Sequence, residues 1–422
     1  MTTDNAVSDA TATEKQRANP YIEVDKILAE FNTPQLQCET DTGIETIPLA
    51  DEVSFGSWQP EIPEEYWSLE ADELERRIRA SRERLGEKVV VLGHHYQRED
   101  IVQFADTRGD SFALAQYAAE RQESPYIIFC GVHFMAEAAD ILAGSHQQVI
   151  LPNMEAGCSM ADMAAAPDVY SAWRELEDFF GSTEDIIPVT YMNSAASLKA
   201  FCGENGGVVC TSSNAVQVLD WAFEQGKRVF FFPDQHLGRN TGHAMDIPLD
   251  EMVLWNWRQP AGNLGGLSDD QLEQSRVILW QGHCSVHQRF SLTQIEQARA
   301  SFPDVQIVVH PECRYEVVEA ADANGSTAFI AKYVAEAAPG SVIGVGTEIN
   351  LVSRLAKENP DKTIFCLDPV VCPCSTMYRV HPAYLAWIME SLERGEVVNR
   401  IEVPAEMKAN AKIALERMLA LK

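Results

Sequence analysis

Residues 305–313 read V-Q-I-V-V-H-P-E-C, and residues 89–96 read V-V-V-L-G-H-H-Y. Each is a short apolar run that ends on histidine. Near-continuous runs of valine, isoleucine and leucine are the pattern of a strand buried on both faces of a parallel sheet. The distance from each histidine to a later cysteine also repeats: Cys158 follows His94 by 64 residues, and Cys374 follows His310 by 64 residues. A fixed internal spacing of this kind signals repeated supersecondary units. A middle copy starts at I-I-P-V-T-Y-M-N-S, residues 186–194, and reaches Cys284 93 residues after Tyr191. The excess is explained by N-W-R-Q-P-A-G-N-L-G-G-L-S-D-D, residues 256–270, whose Gly, Pro and polar content predicts a surface excursion.

The same order of elements recurs in each copy. Strands are predicted at 89–92, 126–130 and 148–151 in the first copy, and at 186–190, 207–210, 228–232 and 276–279 in the second. The third copy has them at 305–309, 328–330, 341–345 and 363–366. Amphipathic patterns such as D-S-F-A-L-A-Q-Y-A-A-E, residues 110–120, and V-H-F-M-A-E-A-A-D-I-L-A, residues 132–143, predict the intervening helices. The fold class is therefore α/β, with three similar α/β/α domains built on short parallel sheets at 86–184, 185–303 and 304–422. Residues 1–85 form an acidic N-terminal extension that ends in a packing helix over 62–85, with Pro63 in its first turn.

Ligands of such sheets gather beyond the carboxyl ends of the strands, where G-H-H-Y, Y-M-N-S and H-P-E-C all fall. Three sheets aiming those ends at one centre would line a single cavity and bring Cys158, Cys284 and Cys374 to it. Thiolates select soft metals, and three readings stay open. They are zinc with His283, His287 or water as fourth ligand, copper(I), and an iron–sulfur cluster with one iron free of protein ligands.

Composition narrows the partners. A net charge of −30 argues against nucleic acid and against an anionic membrane surface. No basic leader precedes an apolar stretch and no run of about 18 apolar residues occurs, so no membrane span is expected and the expected location is cytoplasmic. The ten cysteines lack the spacing of a small disulfide scaffold and suit a reduced chain, with Cys130, Cys202, Cys210 and Cys366 as core residues.

The motifs G-H-H-Y-Q-R-E-D, G-D-S-F-A-L-A-Q, F-C-G-V-H-F-M-A-E, L-P-N-M-E-A-G-C-S-M-A-D-M and P-V-T-Y-M-N-S follow one another along the chain. After them come T-S-S-N-A-V, P-D-Q-H-L-G-R-N-T, G-H-C-S-V-H-Q-R-F, H-P-E-C and C-S-T-M. Together, from about Gly86 to the C-terminus, they resemble the quinolinate synthase family, iron–sulfur enzymes of de novo NAD biosynthesis. The resemblance implies pseudo-threefold symmetry around a central site. It also implies a 4Fe-4S cluster held by Cys158, Cys284 and Cys374, with one open iron acting as Lewis acid. Cys374 is preferred to Cys372 because Met377 follows it by three residues, and Cys372 is left as a candidate for a regulatory disulfide.

The implied reaction condenses iminoaspartate with dihydroxyacetone phosphate to quinolinate, with loss of phosphate and water. The implied partners are those two substrates, an upstream enzyme that makes iminoaspartate, and a second copy in a homodimer. Substrate-binding residues carried over are His94, Ser111, Tyr191, Asn193, Ser212, His310, Glu312, Ser326 and Thr327. Each of the hydroxyl residues Ser111, Ser212, Ser326 and Thr327 precedes a predicted helix. Backbone N–H groups with a hydroxyl beside them make an anion site there, and a plain N-cap is the alternative.

Glu312 is the expected base, His310 its orienter or second acid, and Tyr96 a proton donor or acceptor beside the cluster. Weaker candidates are the His133–Glu137 pair, Lys332 as a phosphate neutraliser, and a flexible loop over 234–243; His95 is not expected to touch substrate. Two other classes remain, a hydro-lyase or zinc hydrolase on the same thiolate frame and a non-catalytic iron–sulfur sensor.

Overall fold

The computed structural model describes residues 59–121, 123–370 and 373–421. The expectations for residues 1–58 and for Cys372 lie outside the described residues. The strands are β1 (Val89–His94), β2 (Thr107–Gly109), β3 (Tyr126–Cys130), β4 (Gln148–Ile150), β5 (Ile186–Tyr191), β6 (Val208–Cys210) and β7 (Arg228–Phe232). They continue as β8 (Met252–Trp255), β9 (Val277–Trp280), β10 (Gln306–Val309), β11 (Ala323–Asn324), β12 (Val342–Gly346), β13 (Thr363–Cys366) and β14 (Arg400–Ile401).

They form three sheets, ordered β14-β4-β3-β1-β2, β6-β5-β7-β9-β8 and β11-β10-β12-β13. Helices flank each, the triplicated α/β/α architecture expected from the sequence. All pairings are parallel except β14 with β4. In every sheet the first strand in chain order (β1, β5 or β10) lies between the second and the third. The winding direction reverses at that strand, which leaves a crevice at its carboxyl end.

The central strands read as apolar runs because both of their faces are covered. All residues of β1, β5 and β9 are buried. Each fully buried valine, leucine, isoleucine or phenylalanine contributes about 1.5–3 kcal/mol of transfer free energy, so these strands carry most of the sheet's driving force. Gly93 near the end of β1 has its own reason. A Cβ there would sit 2.8 Å from that of Ala105, so a side chain would push β1 away from its cover just before His94.

Several elements differ from the sequence reading. The strand expected at 328–330 is part of a helix, Thr327–Glu336, because Ser326 caps it: the Ser326 hydroxyl accepts Phe329 N–H at 3.3 Å. Strands β2, β8, β11 and β14 were not expected. Three of these have two or three residues and include Arg108, Asn324 or Arg400, so they carry no apolar run. The 256–270 excursion joins β8 to the stretch before β9 and includes one short turn, Leu264–Gly266.

The packing helix is two helices, Glu64–Trp67 and Ala71–Leu85. The second buries Leu74, Ile78 and Leu85 and lies against helix Pro382–Glu393. Arg77 and the Tyr66 hydroxyl both bond Glu390 across that contact. After Cys374 the chain returns to the first two sheets: β14 pairs with β4, and helix Ala405–Ala420 packs on helix Ala196–Glu204 and β6. Among the described residues no helix is long and apolar enough to cross a membrane.

Candidate active site

The crevices of the three sheets open into one cavity of about 660 Å³, its mouth included. Its wall carries Cys158, Cys284 and Cys374, His94, Tyr96 and Ser111 from the first unit, Tyr191, Asn193 and Ser212 from the second, and His310, Glu312 and Thr327 from the third. Of the site residues expected from the sequence, Ser326 alone is not on that wall; its hydroxyl is engaged as the N-cap. The neighbouring Thr327 Oγ1 is buried without a protein partner. A buried hydroxyl on a cavity wall with no protein partner can bond a ligand or an ordered water.

His94 and His310 occupy equivalent places at the ends of β1 and β10, and they are held in the same way. Tyr96 N–H donates to His94 Nδ1 at 3.1 Å, and Glu312 N–H donates to His310 Nδ1 at 3.3 Å. With Nδ1 accepting, the remaining proton sits on Nε2. Burial lowers the pKa of both rings, His310 to about 3 and His94 well below its usual value. Both are therefore neutral N–H donors.

Glu312 is the centre of the polar network. The Tyr191 hydroxyl donates to its Oε1 at 2.5 Å, and His287 Nδ1 lies 2.8 Å from its Oε2. Burial opposes ionisation of this carboxyl, yet His287 and the hydrogen bonds from His287 and the Tyr191 hydroxyl outweigh it and hold its pKa below the usual carboxylate range. His310 is neutral near pH 7, so it adds no charge to this balance.

Beyond His287 the network continues from Nε2 to Thr347 Oγ1 at 3.2 Å and the Tyr96 hydroxyl at 3.4 Å; Tyr96 and Thr347 are 2.8 Å apart. Burial, followed by the Glu312 charge, raises Tyr96 and Tyr191 well above 10, so both phenols keep their protons. His287 and Thr347 thus link two residues that the sequence had singled out separately. The sequence offered His287 only as a fourth zinc ligand and did not signal Thr347.

Helix Gln235–Ala244 replaces the flexible loop expected at 234–243. Its N-cap Asp234 accepts the N–H groups of His236 and Leu237 at 2.7 and 2.8 Å. Burial raises the Asp234 pKa well above the usual carboxylate range. From the same helix Asn240 Nδ2 donates to Pro311 O at 2.8 Å and Cys313 O at 2.9 Å, the two carbonyls that bracket Glu312. Gly282 lets the Cys284 loop approach this segment, since a Cβ there would lie 2.3 Å from Pro233 O.

The remaining candidates fall elsewhere. His133 Nδ1 and Glu137 are 3.7 Å apart, and Glu137 accepts Ala196 N–H at 2.9 Å, an interdomain contact. Lys332 is exposed and lies 3.8 Å from Glu336, away from the wall. Cys130, Cys202 and Cys210 are core residues as expected, while Cys366 is half-buried.

The expected set of three cysteine ligands with one open iron is corrected. Among the described residues one group of three or more ligand-type side chains brings its donor atoms within 4.8 Å of one another: Cys284, His287 and Glu312. Cys158 and Cys374 are not in it. They sit on separate loops, as N-caps of helices Ser159–Asp162 and Ser375–Tyr378, whereas His287 follows Cys284 by three residues and turns toward Glu312. A thiol, an imidazole and a carboxylate are ligands that both iron and zinc accept. Burial raises the Cys284 pKa well above 9, so its thiolate would be formed by the metal it binds.

The model of the family described as Quinolinate synthetase A protein matches residues 76–420. A quinolinate synthase of Corynebacterium glutamicum is 57% identical over 363 residues, covering 86% of this chain and 91% of its own. Those of Geobacillus thermodenitrificans and Bacillus cereus are 52% and 50% identical, each covering 85% of this chain and 96% of its own. The match takes in all three sheets and the whole wall of the cavity, and the chain belongs to the quinolinate synthase family.

Proposed function

We propose that this cavity joins iminoaspartate to dihydroxyacetone phosphate, forming quinolinate, phosphate and two waters, with Glu312 as the principal base. Atoms balance without an oxidant or reductant, so the demands on the protein are binding, proton transfer and expulsion of leaving groups. The substrates bring two carboxylates and a phosphate. The wall meets them with neutral donors: Nε2–H of His94 and of His310, the amide of Asn193, and the hydroxyls of Ser111, Ser212 and Thr327. Helices that start at Ser111, Ala215 and Thr327 add partial positive charge at their N-termini.

Glu312 is ionised and buried, and Tyr191 and His287 fix its two oxygens, so it can take a carbon-bound proton during isomerisation and ring closure. Tyr96 serves as the second proton carrier. Its hydroxyl keeps its proton and is oriented by Thr347 Oγ1 at 2.8 Å and His287 Nε2 at 3.4 Å, so it can donate to a substrate oxygen. An iron-bearing group held at Cys284, beside His287 and Glu312, would supply a Lewis acid for a substrate oxygen. Iminoaspartate hydrolyses in water, so an enzyme that oxidises aspartate must supply it, and the free thiols of the described cysteines suit a reducing cytoplasm.

The observation that carries this reading is the continuous hydrogen-bonded chain Tyr191, Glu312, His287, Thr347 and Tyr96, in which Tyr191, Glu312 and Tyr96 line the cavity and His287 and Thr347 join them from behind. The test is anaerobic quinolinate formation by Glu312→Gln, which keeps the shape of the side chain and removes the base. The turnover number is expected to fall by about 10²–10⁴ with both KM values within about threefold. A variant that keeps more than about a tenth of the wild-type turnover removes Glu312 as the base.

A further inference from the structure

Lys199 is a buried ionisable group with no role in the chemistry above. It lies on helix Ala196–Glu204 at 0% exposure. Its ammonium bonds carbonyl oxygens: Nζ donates to Met192 O at 2.9 Å and also to Ser194 O. These are the carbonyls on either side of Asn193, whose side chain is on the cavity wall. Phe134, on the same wall, has its ring centroid 5.6 Å from the ammonium.

An ammonium is costly to bury, and burial lowers this one from 10.5 to about 8. Methionine, unbranched and one bond shorter, would fill most of the space without that cost. What the amine adds is donors and charge. Among the described residues the cavity wall has no lysine or arginine of its own, so Lys199 places a positive charge just behind a surface that meets three anionic groups.

We propose that Lys199 is a positioning residue for substrate binding, which fixes the Asn193 amide on the wall by holding the two carbonyls that flank it. The proposal rests on the reading of Asn193 as a substrate-binding residue. Holding both flanking carbonyls restrains the peptide planes before and after Asn193, so its Cα–Cβ direction cannot drift. Asn240 does the same at Glu312, donating to Pro311 O and Cys313 O. Two site residues on different sheets are thus set by a buried donor that spans their neighbours' carbonyls.

The test is a double-mutant cycle on the anaerobic holoenzyme, with KM and the turnover number read for each substrate. Asn193→Ala is expected to raise KM for at least one substrate about tenfold or more. Lys199→Met should raise KM for the same substrate about tenfold while turnover stays within about threefold, and the double variant should be within about twofold of Asn193→Ala alone. A wild-type KM for Lys199→Met beside an impaired Asn193→Ala overturns the clamp and leaves the site reading intact. Multiplying effects in the double variant also overturn it, because Lys199 then acts independently of Asn193. A wild-type KM for Asn193→Ala removes the substrate-binding reading, and the proposal with it. If Lys199→Met yields no soluble protein, Lys199→Gln, neutral and one bond shorter, is read by the same criteria.

Discussion

Tyr191→Phe removes one oxygen from the network and leaves the ring in place. That oxygen lies 2.5 Å from Glu312 Oε1, between two residues that are 5% and 3% exposed. A hydroxyl donating to a carboxylate contributes about 1.5–3 kcal/mol, against about 0.5–1.5 kcal/mol for a neutral pair. Glu312→Gln converts the first kind of bond into the second. The two substitutions should therefore couple by about 1–2 kcal/mol, the share that depends on the charge. Urea unfolding of the wild type, both single variants and the double variant at pH 7, under anaerobic conditions, measures that coupling directly. A coupling below about 0.5 kcal/mol would mean that Glu312 is uncharged in the folded protein or that Tyr191 does not bond it. Either result refutes the electrostatic picture of the base.

Ser326 and Thr327 should separate cleanly. Ser326→Ala is expected to cost about 1 kcal/mol of stability through loss of the cap with KM unchanged, while Thr327→Val should raise KM with little change in melting temperature; melting curves and initial rates on both variants check this. Lys199 should leave a mark on the alkaline side of the stability profile. Its folded pKa is depressed from 10.5 to about 8, so between those values the unfolded chain holds more protons and unfolding free energy rises with pH. The contribution is complete above the unfolded pKa and is lost as pH falls through about 8. The slope is at most about 1.4 kcal/mol per pH unit, and it should be absent from Lys199→Met in urea unfolding between pH 8 and 10; equal slopes in both proteins would contradict it.

The parts of the fold that were legible in the sequence are those driven by burial on both faces. β1, β5, β7 and β10 are apolar throughout their centres because helices cover both sides of the sheets, and the histidines or tyrosine at the ends of β1, β5 and β10 stand out against that background. Edge strands such as β2 and β14 are held by backbone pairing to a neighbour already in place, so T-R-G and R-I need no apolar run. The helix at 327 was misread because F-I beside alanine suits either state over three residues; the Ser326 cap decides it.

The site shows the same division. His94, His310 and Glu312 follow strand ends and were visible, whereas Thr347 and Asn240 owe their roles to contacts between sheets that no local pattern encodes. His287 lay in view near Cys284, but its partner Glu312 is 25 residues away. For the same reason the sequence pointed to the three recurring cysteines and did not single out the group Cys284, His287 and Glu312.

A chain with a net charge of −30 must still attract a phosphate and two carboxylates into a cavity whose own wall includes Glu312 and Asp110. Fixed cations on the wall would neutralise Glu312 and weaken it as a base. Neutral imidazoles, hydroxyls and helix N-termini avoid that, because each provides a partial positive charge at short range and none titrates near pH 7. Each of the three units provides such a helix start, and the first and third each add a neutral histidine held by the N–H two residues on. The full positive charge is set one layer back, on Lys199, where it acts through Asn193 and Phe134 without contacting the base. The repeated α/β unit therefore does more than enclose a space. It supplies the same weak donor several times from different directions, and the sum can hold a strongly anionic ligand without a cation beside Glu312, the base of the proposed reaction.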